Sequence, residues 1–161
     1  MKYLVISDTH TDLNNAINII EQWKEAIIGV IHLGDHDEDA EILQKQYPNL
    51  IFHYVAGNCD VGTNPQEKII ILGEYKIWLL HGHRYQIQWG YDGLYYAAQE
   101  KNVQVVLVGH THIPCILEDD GVLIMNPGSI VQPRHEKGPS YGMLGLEKDG
   151  RLKKEIYFIK S

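Results

Sequence analysis

The fold is decided by a pattern that first occurs in YLVISDTH, residues 3–10. A short run of aliphatic residues, typical of a buried strand, ends abruptly at polar residues that are typical of a turn. Further strands of this kind are predicted at 29–33, 52–56, 75–80 and 103–108, followed by Gly34-Asp35, Gly57-Asn58, His81-Gly82-His83 and Gly109-His110-Thr111-His112. This recurrence predicts a buried sheet system with polar turns at the strand ends.

Helices are predicted between these strands. Apolar residues at helical spacing predict a helix from Leu13 to Trp23, with Thr11 or Asp12 as its cap. A second helix over 37–47 has an acidic first turn, which suits the helix dipole, and a third covers 91–101. Other strands are predicted at 69–72, 122–125, 141–147 and 152–158. The element order predicts an α/β fold with helices on the outer faces of the sheets.

Length and composition narrow the class of protein. A chain of 161 residues, 44% of them hydrophobic, suits one domain spanning residues 1–161 on a prior of roughly 150 residues per domain. The net charge of −7 argues against binding to duplex nucleic acid. Two cysteines are too few for a disulfide framework. No apolar run reaches the roughly 18 residues of a membrane span, so we expect a cytoplasmic protein without a membrane partner.

Histidine is unusually frequent, with nine copies, and its positions suggest chemistry. Loops at the carboxyl ends of strands in α/β sheets converge on a ligand site. Eight polar side chains are expected there: Asp8, His10, Asp35, Asn58, His81, His83, His110 and His112. This oxygen and nitrogen set suits manganese, iron, nickel or zinc better than calcium or a structural zinc. Eight candidates exceed the ligands of a single open site, which favours two ions sharing a carboxylate.

The order of these motifs, D-x-H, G-D, G-N, H-x-H and G-H-x-H over residues 8–112, resembles the calcineurin-like metallophosphoesterase family. The segments 126–129 (NPGS) and 133–134 (PR) resemble its small prokaryotic phosphodiesterase branch. The resemblance implies a metallophosphoesterase-type four-layer αββα sandwich with mixed sheets. It also implies hydrolysis of a small phosphate ester, most simply a phosphodiester, by a hydroxide held between two metal ions.

The resemblance further implies a ligand set for two divalent ions, with manganese favoured and nickel, iron or zinc as alternatives. One ion would be held by Asp8, His10, Asp35 and His112, and the other by Asp35, Asn58, His81 and His110. Asp35 would bridge the two.

Four residues are further candidates for roles in catalysis or substrate binding. Asn58, Cys59 and His83 are catalytic candidates, and His83 and Arg134 are candidates for contact with the substrate phosphate. Cys59 stands where much of the family has the histidine that protonates the leaving group, and a cysteine at this position resembles the small prokaryotic branch. This replacement predicts a preference for esters with good leaving groups.

Several alternatives stand beside this interpretation. The enzyme would be a phosphomonoesterase if monoesters were preferred. The same fold also serves as a non-catalytic scaffold, as in the small subunit of the eukaryotic retromer coat. His32 and His53 are expected to be structural. An aromatic cluster either lines a base-binding pocket or packs a helix on the sheet: Tyr85, Trp89, Tyr91, Tyr95 and Tyr96.

Overall fold

The computed structural model describes residues 1–160, which form ten β-strands and three α-helices. In chain order these are β1 (Lys2–Ile6), α1 (Asn14–Trp23), β2 (Gly29–His32), α2 (Asp37–Gln46), β3 (Ile51–Tyr54), β4 (Glu67–Leu72), β5 (Tyr75–Leu80), α3 (Asp92–Lys101), β6 (Val105–Val108), β7 (Cys115–Asp119), β8 (Val122–Asn126), β9 (Ser140–Leu146) and β10 (Leu152–Phe158). Two single-turn 3-10 helices, His83–Tyr85 and Ile87–Trp89, lie between β5 and α3. Within residues 1–160, no helix has the length and apolar character needed to cross a membrane.

The strands form two mixed sheets of five strands each. The first has the order β10-β9-β1-β2-β3, in which β1, β2 and β3 are parallel and β9 and β10 are antiparallel to their neighbours. The second has the order β4-β5-β6-β8-β7, in which β5, β6 and β8 are parallel. Each sheet therefore contains three neighbouring parallel strands, whose carboxyl ends lie at the same end of the sheet.

Side chains alternate along β1 between two hydrophobic cores. Tyr3 and Val5 face a core between the sheets, where they pack with Leu79 and Leu107 of the second sheet. Leu4 and Ile6 face the opposite way, into a core formed with one face each of α1 and α2. Because successive side chains of a strand point to opposite faces, one short apolar strand serves both cores.

The helix α3 covers the outer face of the second sheet. Leu94 and Ala98 are fully buried against Trp78 of β5 and Val106 of β6. The layers are therefore helices, sheet, sheet and helix, which confirms the predicted four-layer αββα arrangement.

Most predicted elements are observed with ends shifted by one or two residues, but the strand β7 is absent from the prediction. It pairs antiparallel with β8 at the edge of the second sheet, and its last three residues are exposed. The predicted cap of α1 by Thr11 or Asp12 is wrong, because Leu13 occupies the N-cap position and its side chain makes no cap bond. Asp12 instead accepts a hydrogen bond from the backbone N–H of Asn14 at 3.1 Å.

Candidate metal centre

The seven predicted metal ligands come from five loops that follow β1, β2, β3, β5 and β6. These strands belong to the sets of parallel strands in the two sheets. Their carboxyl ends bring the following side chains to one site: Asp8, His10, Asp35, Asn58, His81, His110 and His112.

Four side chains form the first group. Candidate ligand atoms of Asp8, His10, Asp35 and His112 all lie within 4.8 Å of one another. The Oδ1 of Asp8 lies 3.2 Å from Nε2 of His112 and 4.0 Å from Nε2 of His10. Asp8 Oδ1 and His10 Nε2 are buried and have no hydrogen-bond partner among the described residues. Because burial of an unpaired polar atom is costly, this group fits a bound cation.

A second group, Asn58, His81 and His110, adjoins the first. The Nδ1 of His110 lies 3.2 Å from both Oδ1 of Asn58 and Nε2 of His81. The Nε2 of His81 lies 3.4 Å from Oδ1 of Asp35. Asp35 therefore contacts the second group while belonging to the first, which is the position that a shared carboxylate requires.

Hydrogen bonds to backbone carbonyls orient two of the histidines. Nδ1–H of His81 donates to the carbonyl of Leu33 at 2.7 Å, and Nδ1–H of His112 donates to the carbonyl of Gln132 at 2.6 Å. In each ring, Nε2 is then left to face the carboxylates. Metal-binding histidines are commonly oriented in this way.

The carboxylates control the charge of the neighbouring rings. Burial opposes charge on His81, but Asp35 and Asp8 raise its pKa above the ordinary value. Burial also opposes ionisation of Asp35, yet the bond with His81 holds the pKa of this carboxyl below its ordinary value. Burial lowers the pKa of His10 and of His110, against the attraction of Asp8. Asp35 is therefore ionised. Burial favours the neutral form of His10 and His110, which is the form that binds a metal ion.

The backbone is strained at most of the predicted ligands. A non-glycine residue with positive φ is uncommon and marks sites where the surroundings enforce a conformation. Five of the seven ligands have this conformation: Asp8 (57°), His10 (46°), Asp35 (57°), His110 (69°) and His112 (62°). Such a concentration of strain at the strand ends suggests a functional site.

A buried chain of hydrogen bonds supports the first two loops. The backbone N–H of Gly34 donates to Nδ1 of His32 at 3.1 Å, so Nε2 carries the proton and donates to Oγ1 of Thr9 at 3.0 Å. The hydroxyl of Thr9 donates to Oδ2 of Asp39 at 2.5 Å. The same oxygen also accepts a hydrogen bond from the backbone N–H of Thr11 at 2.9 Å. The loops that carry Asp8 and Asp35 are thereby tied to α2.

Asp60 joins the second loop to the third. Its Oδ1 accepts from the backbone N–H of His36 at 2.6 Å and of Asp37 at 3.1 Å, and its Oδ2 accepts from the N–H of Gly57 at 2.7 Å. Asp60 lies outside the motifs that predict the ligands. Its position two residues after Asn58, in a polar turn, is the only local indication of a structural role.

The NPGS segment supports the loops after β6 and β1. Asn126 donates through Nδ2 to the carbonyl of Gly109 at 2.9 Å and to Oγ1 of Thr111 at 3.0 Å. The hydroxyl of Ser129 donates to the carbonyl of Asp8 at 2.9 Å. This segment therefore holds the loop that carries His110 in position, and it contacts no ligand side chain in these bonds.

The other predicted site residues lie around this centre. Cys59 is exposed, and its backbone N–H donates to Oδ1 of Asp35 at 3.0 Å. Partial desolvation of the sulfur and the negative charge of Asp35 raise the pKa of this thiol. The ring of His83 lies 5.6 Å from that of His81, and its buried Nδ1 has no partner among residues 1–160. Arg134 is exposed, and its backbone N–H donates to the carbonyl of His112, a member of the first group, at 3.0 Å.

The histidines expected to be structural have partners away from the ligand atoms. His32 is fully buried in the chain of bonds described above. His53 is half-buried, with Nδ1 2.9 Å from Nζ of Lys68.

Comparison with known proteins relates this site to a family. The model of the calcineurin-like phosphoesterase superfamily domain matches residues 1–149. A probable metallophosphoesterase of Bacillus subtilis, YsnB, is 36% identical over 152 residues, covering 92% of this chain and 86% of that protein.

Solved structures agree with this relation. A novel archaeal phosphodiesterase has a TM-score of 0.71 at 25% identity, covering 98% of this chain and 100% of the other. A single mutant of Vps29 from Entamoeba histolytica has a TM-score of 0.76 at 23% identity, covering 99% of this chain and 100% of the other, which is a likeness of fold. The chain belongs to the calcineurin-like phosphoesterase superfamily.

Proposed function

We propose that this protein is a phosphodiesterase that uses two divalent cations, with manganese favoured. The superfamily consists of phosphoesterases, and a candidate Asp/His metal site is present. The observation that carries the proposal of two ions is the position of Asp35, which lies 3.4 Å from Nε2 of His81 and also belongs to the group around Asp8. One carboxylate could then serve two cations.

The expected charge of the site explains how an acidic protein attracts a phosphate ester. Two divalent cations bring a charge of +4, and the carboxylates of Asp8 and Asp35 remove 2, so the site is near +2. The chain as a whole carries a net charge of −7. The positive charge is therefore local, and it suits a small anionic substrate better than a nucleic-acid duplex.

The ligands divide between a buried side and an open side. Asp8, Asp35 and His112 are buried, whereas Asn58 is exposed and His110 is partly exposed. We infer that substrate approaches from the side of Asn58 and His110. When bound, the cations would supply Lewis acidity towards the phosphoryl oxygens and water.

Two side chains beside this opening suit proton transfer or substrate contact. Burial, His81 and Arg84 lower the pKa of His83, so its ring is neutral near pH 7 and can accept a proton or a hydrogen bond. The thiol of Cys59 has a raised pKa and keeps its proton. A thiol is a weak acid, which favours esters whose leaving group departs without protonation, such as aryl esters.

The test compares bis(p-nitrophenyl) phosphate with p-nitrophenyl phosphate in the presence of Mn²⁺. We expect turnover of the diester by the wild-type protein and loss of at least about a hundredfold in Asp35→Asn, which retains the side-chain shape but removes the charge. Asp149→Asn is the control, because Asp149 is exposed and bonds with Arg151. Equal rates for Asp35→Asn and wild type would show the proposal to be wrong, and faster turnover of the monoester would favour a phosphomonoesterase.

A non-catalytic scaffold is the second candidate. The similarity of fold to Vps29 favours it. Against it, all seven ligand positions of the family carry residues able to bind metal. A protein that binds Mn²⁺ but hydrolyses neither ester would support the scaffold.

A further inference from the structure

A groove of about 470 Å³ opens beside the metal centre. Its wall includes Thr111, which lies between the predicted ligands His110 and His112, and Arg134, whose backbone N–H donates to the carbonyl of His112. The groove is thus continuous with the loop that carries two predicted ligands, and its size is that of a small-molecule site.

Three apolar side chains that line this groove are exposed to solvent. Trp89 is 85% exposed, Ile113 is 46% exposed and Leu117 is 38% exposed. Grouped exposed apolar side chains commonly mark a surface that binds something. An exposed indole face suits a planar partner, because aromatic groups stack on it with little loss of side-chain freedom.

The position of Trp89 is fixed by the turn that carries it. The 3-10 helix Ile87–Trp89 is closed by hydrogen bonds from the N–H of Trp89 to the carbonyl of Gln86 at 3.0 Å and from the N–H of Gly90 to the carbonyl of Ile87 at 3.1 Å. Ile87 anchors the turn, since it is only 2% exposed and packs into the core under α3. The exposed indole therefore stands on a structured support.

Hydrogen bonds link the base of the groove to Thr111, in the loop that carries His110 and His112. The Nδ2 of Asn126 donates to the hydroxyl of Tyr91 at 3.2 Å and to Oγ1 of Thr111 at 3.0 Å. The thiol of Cys115 lies 3.6 Å from the same Tyr91 hydroxyl. A group bound in the groove would consequently be held at a defined distance from His110 and His112.

Arg134 is the one charged side chain among the residues lining the groove. A guanidinium among apolar lining residues suits the phosphate of a molecule whose remaining part is apolar. A wholly apolar occupant would make no use of this charge. The combination of Trp89 and Arg134 thus selects for an organic phosphate.

We propose that the groove binds a planar apolar group, such as an aryl ring or a nucleobase, of a phosphate ester whose phosphate lies at the metal centre. The proposal rests on the proposed function, because it names the substrate class of that site. Trp89 would supply the stacking surface, Ile113 the opposite apolar contact, and Arg134 a contact to phosphate. The protein would then discriminate aromatic phosphate esters from small alkyl ones.

The aromatic cluster divides accordingly. Tyr85, Tyr91 and Tyr95 pack against the core under α3, as helix packing predicts. Trp89 and Tyr96 are exposed, but Trp89 alone of these two lines the groove. Tyr96 is 70% exposed and therefore provides a matched control.

The test measures the affinity of the Mn²⁺-loaded protein for phenylphosphonate and methylphosphonate by calorimetry. The two compounds differ in the planar group, and neither is hydrolysed as an ester. We expect the wild type to bind phenylphosphonate about tenfold or more tightly, the range of a single stacking contact. Trp89→Ala should lose this preference, Trp89→Phe should retain most of it, and Tyr96→Ala should be unchanged.

Equal affinity of the wild type for the two phosphonates would overturn the proposal. So would a preference that survives in Trp89→Ala. A change from oligomer to monomer in Trp89→Ala, without any change in the two affinities, would assign the groove to contact between copies and also overturn it. Binding does not require turnover, so a protein that shows the preference but hydrolyses no diester would refute the proposed function and leave the groove as a binding site for aryl phosphates that are ligands rather than substrates.

Discussion

The substitution Thr9→Val tests how the buried chain of hydrogen bonds supports the metal centre. Thr9 is fully buried, and its hydroxyl accepts from Nε2–H of His32 and donates to Asp39. Valine has almost the same shape, so the change removes two hydrogen bonds while filling the same space. It leaves the imidazole N–H of His32 without a partner inside the protein, while Oδ2 of Asp39 keeps only its bond from the N–H of Thr11.

The magnitude follows from these two bonds. A hydrogen bond to a charged group contributes about 1.5–3 kcal/mol and a neutral one about 0.5–1.5 kcal/mol, so the loss is about 3 kcal/mol in the free energy of unfolding. For a chain of this length, that corresponds to a decrease in Tm of roughly 6–12 °C. Thr9 also lies between Asp8 and His10, so a looser turn should weaken Mn²⁺ binding about tenfold.

The assay is urea unfolding of the metal-free protein together with calorimetric titration of Mn²⁺. Thr63→Val is the control, since Thr63 is exposed and the same change there removes no buried bond. A Thr9→Val protein with the stability and Mn²⁺ affinity of the Thr63→Val protein would refute the reasoning.

Two other predictions concern the same loops. Burial lowers the pKa of His32 from 6.5 to about 4, so the unfolded chain binds more protons between these values. Stability should therefore fall as the pH drops from 7 to 4, by about 3 kcal/mol from this residue, and urea unfolding of His32→Gln should lack that part of the pH dependence. In Gly109→Ala, the new Cβ would lie 2.1 Å from Oγ of Ser7 and 3.1 Å from Oδ2 of Asp8. Mn²⁺ affinity in calorimetry should fall about tenfold or more, whereas Gly62→Ala, which meets nothing within 4 Å, should bind normally.

The central strands were predictable because they are short, apolar and followed by polar turns. The four buried residues of β6, for example, precede the turn that carries His110. The strand β7 was missed because it follows Pro114, ends in acidic residues and lies at a sheet edge, where little of it is buried. Its strand character comes from pairing with β8, which depends on tertiary structure rather than on local preference.

The candidate ligands were predictable because each follows a strand end in a motif of fixed spacing. The residues that hold these ligands in place were not predictable. Asp39 and Asp60, for example, accept hydrogen bonds from loops that are distant in sequence, partly from backbone N–H groups. Asp39 bonds with Thr9 across 30 positions, and Asp60 bonds with His36 across 24. Nothing in the local sequence indicates which loop will lie beside these carboxylates.

The most direct test of the central claim is the number of metal ions that each chain binds. Elemental analysis after saturation with Mn²⁺ and removal of the unbound metal should give two ions per chain, because Asp35 adjoins both groups of ligands. One ion or none per chain would contradict the account of a centre built on a shared carboxylate.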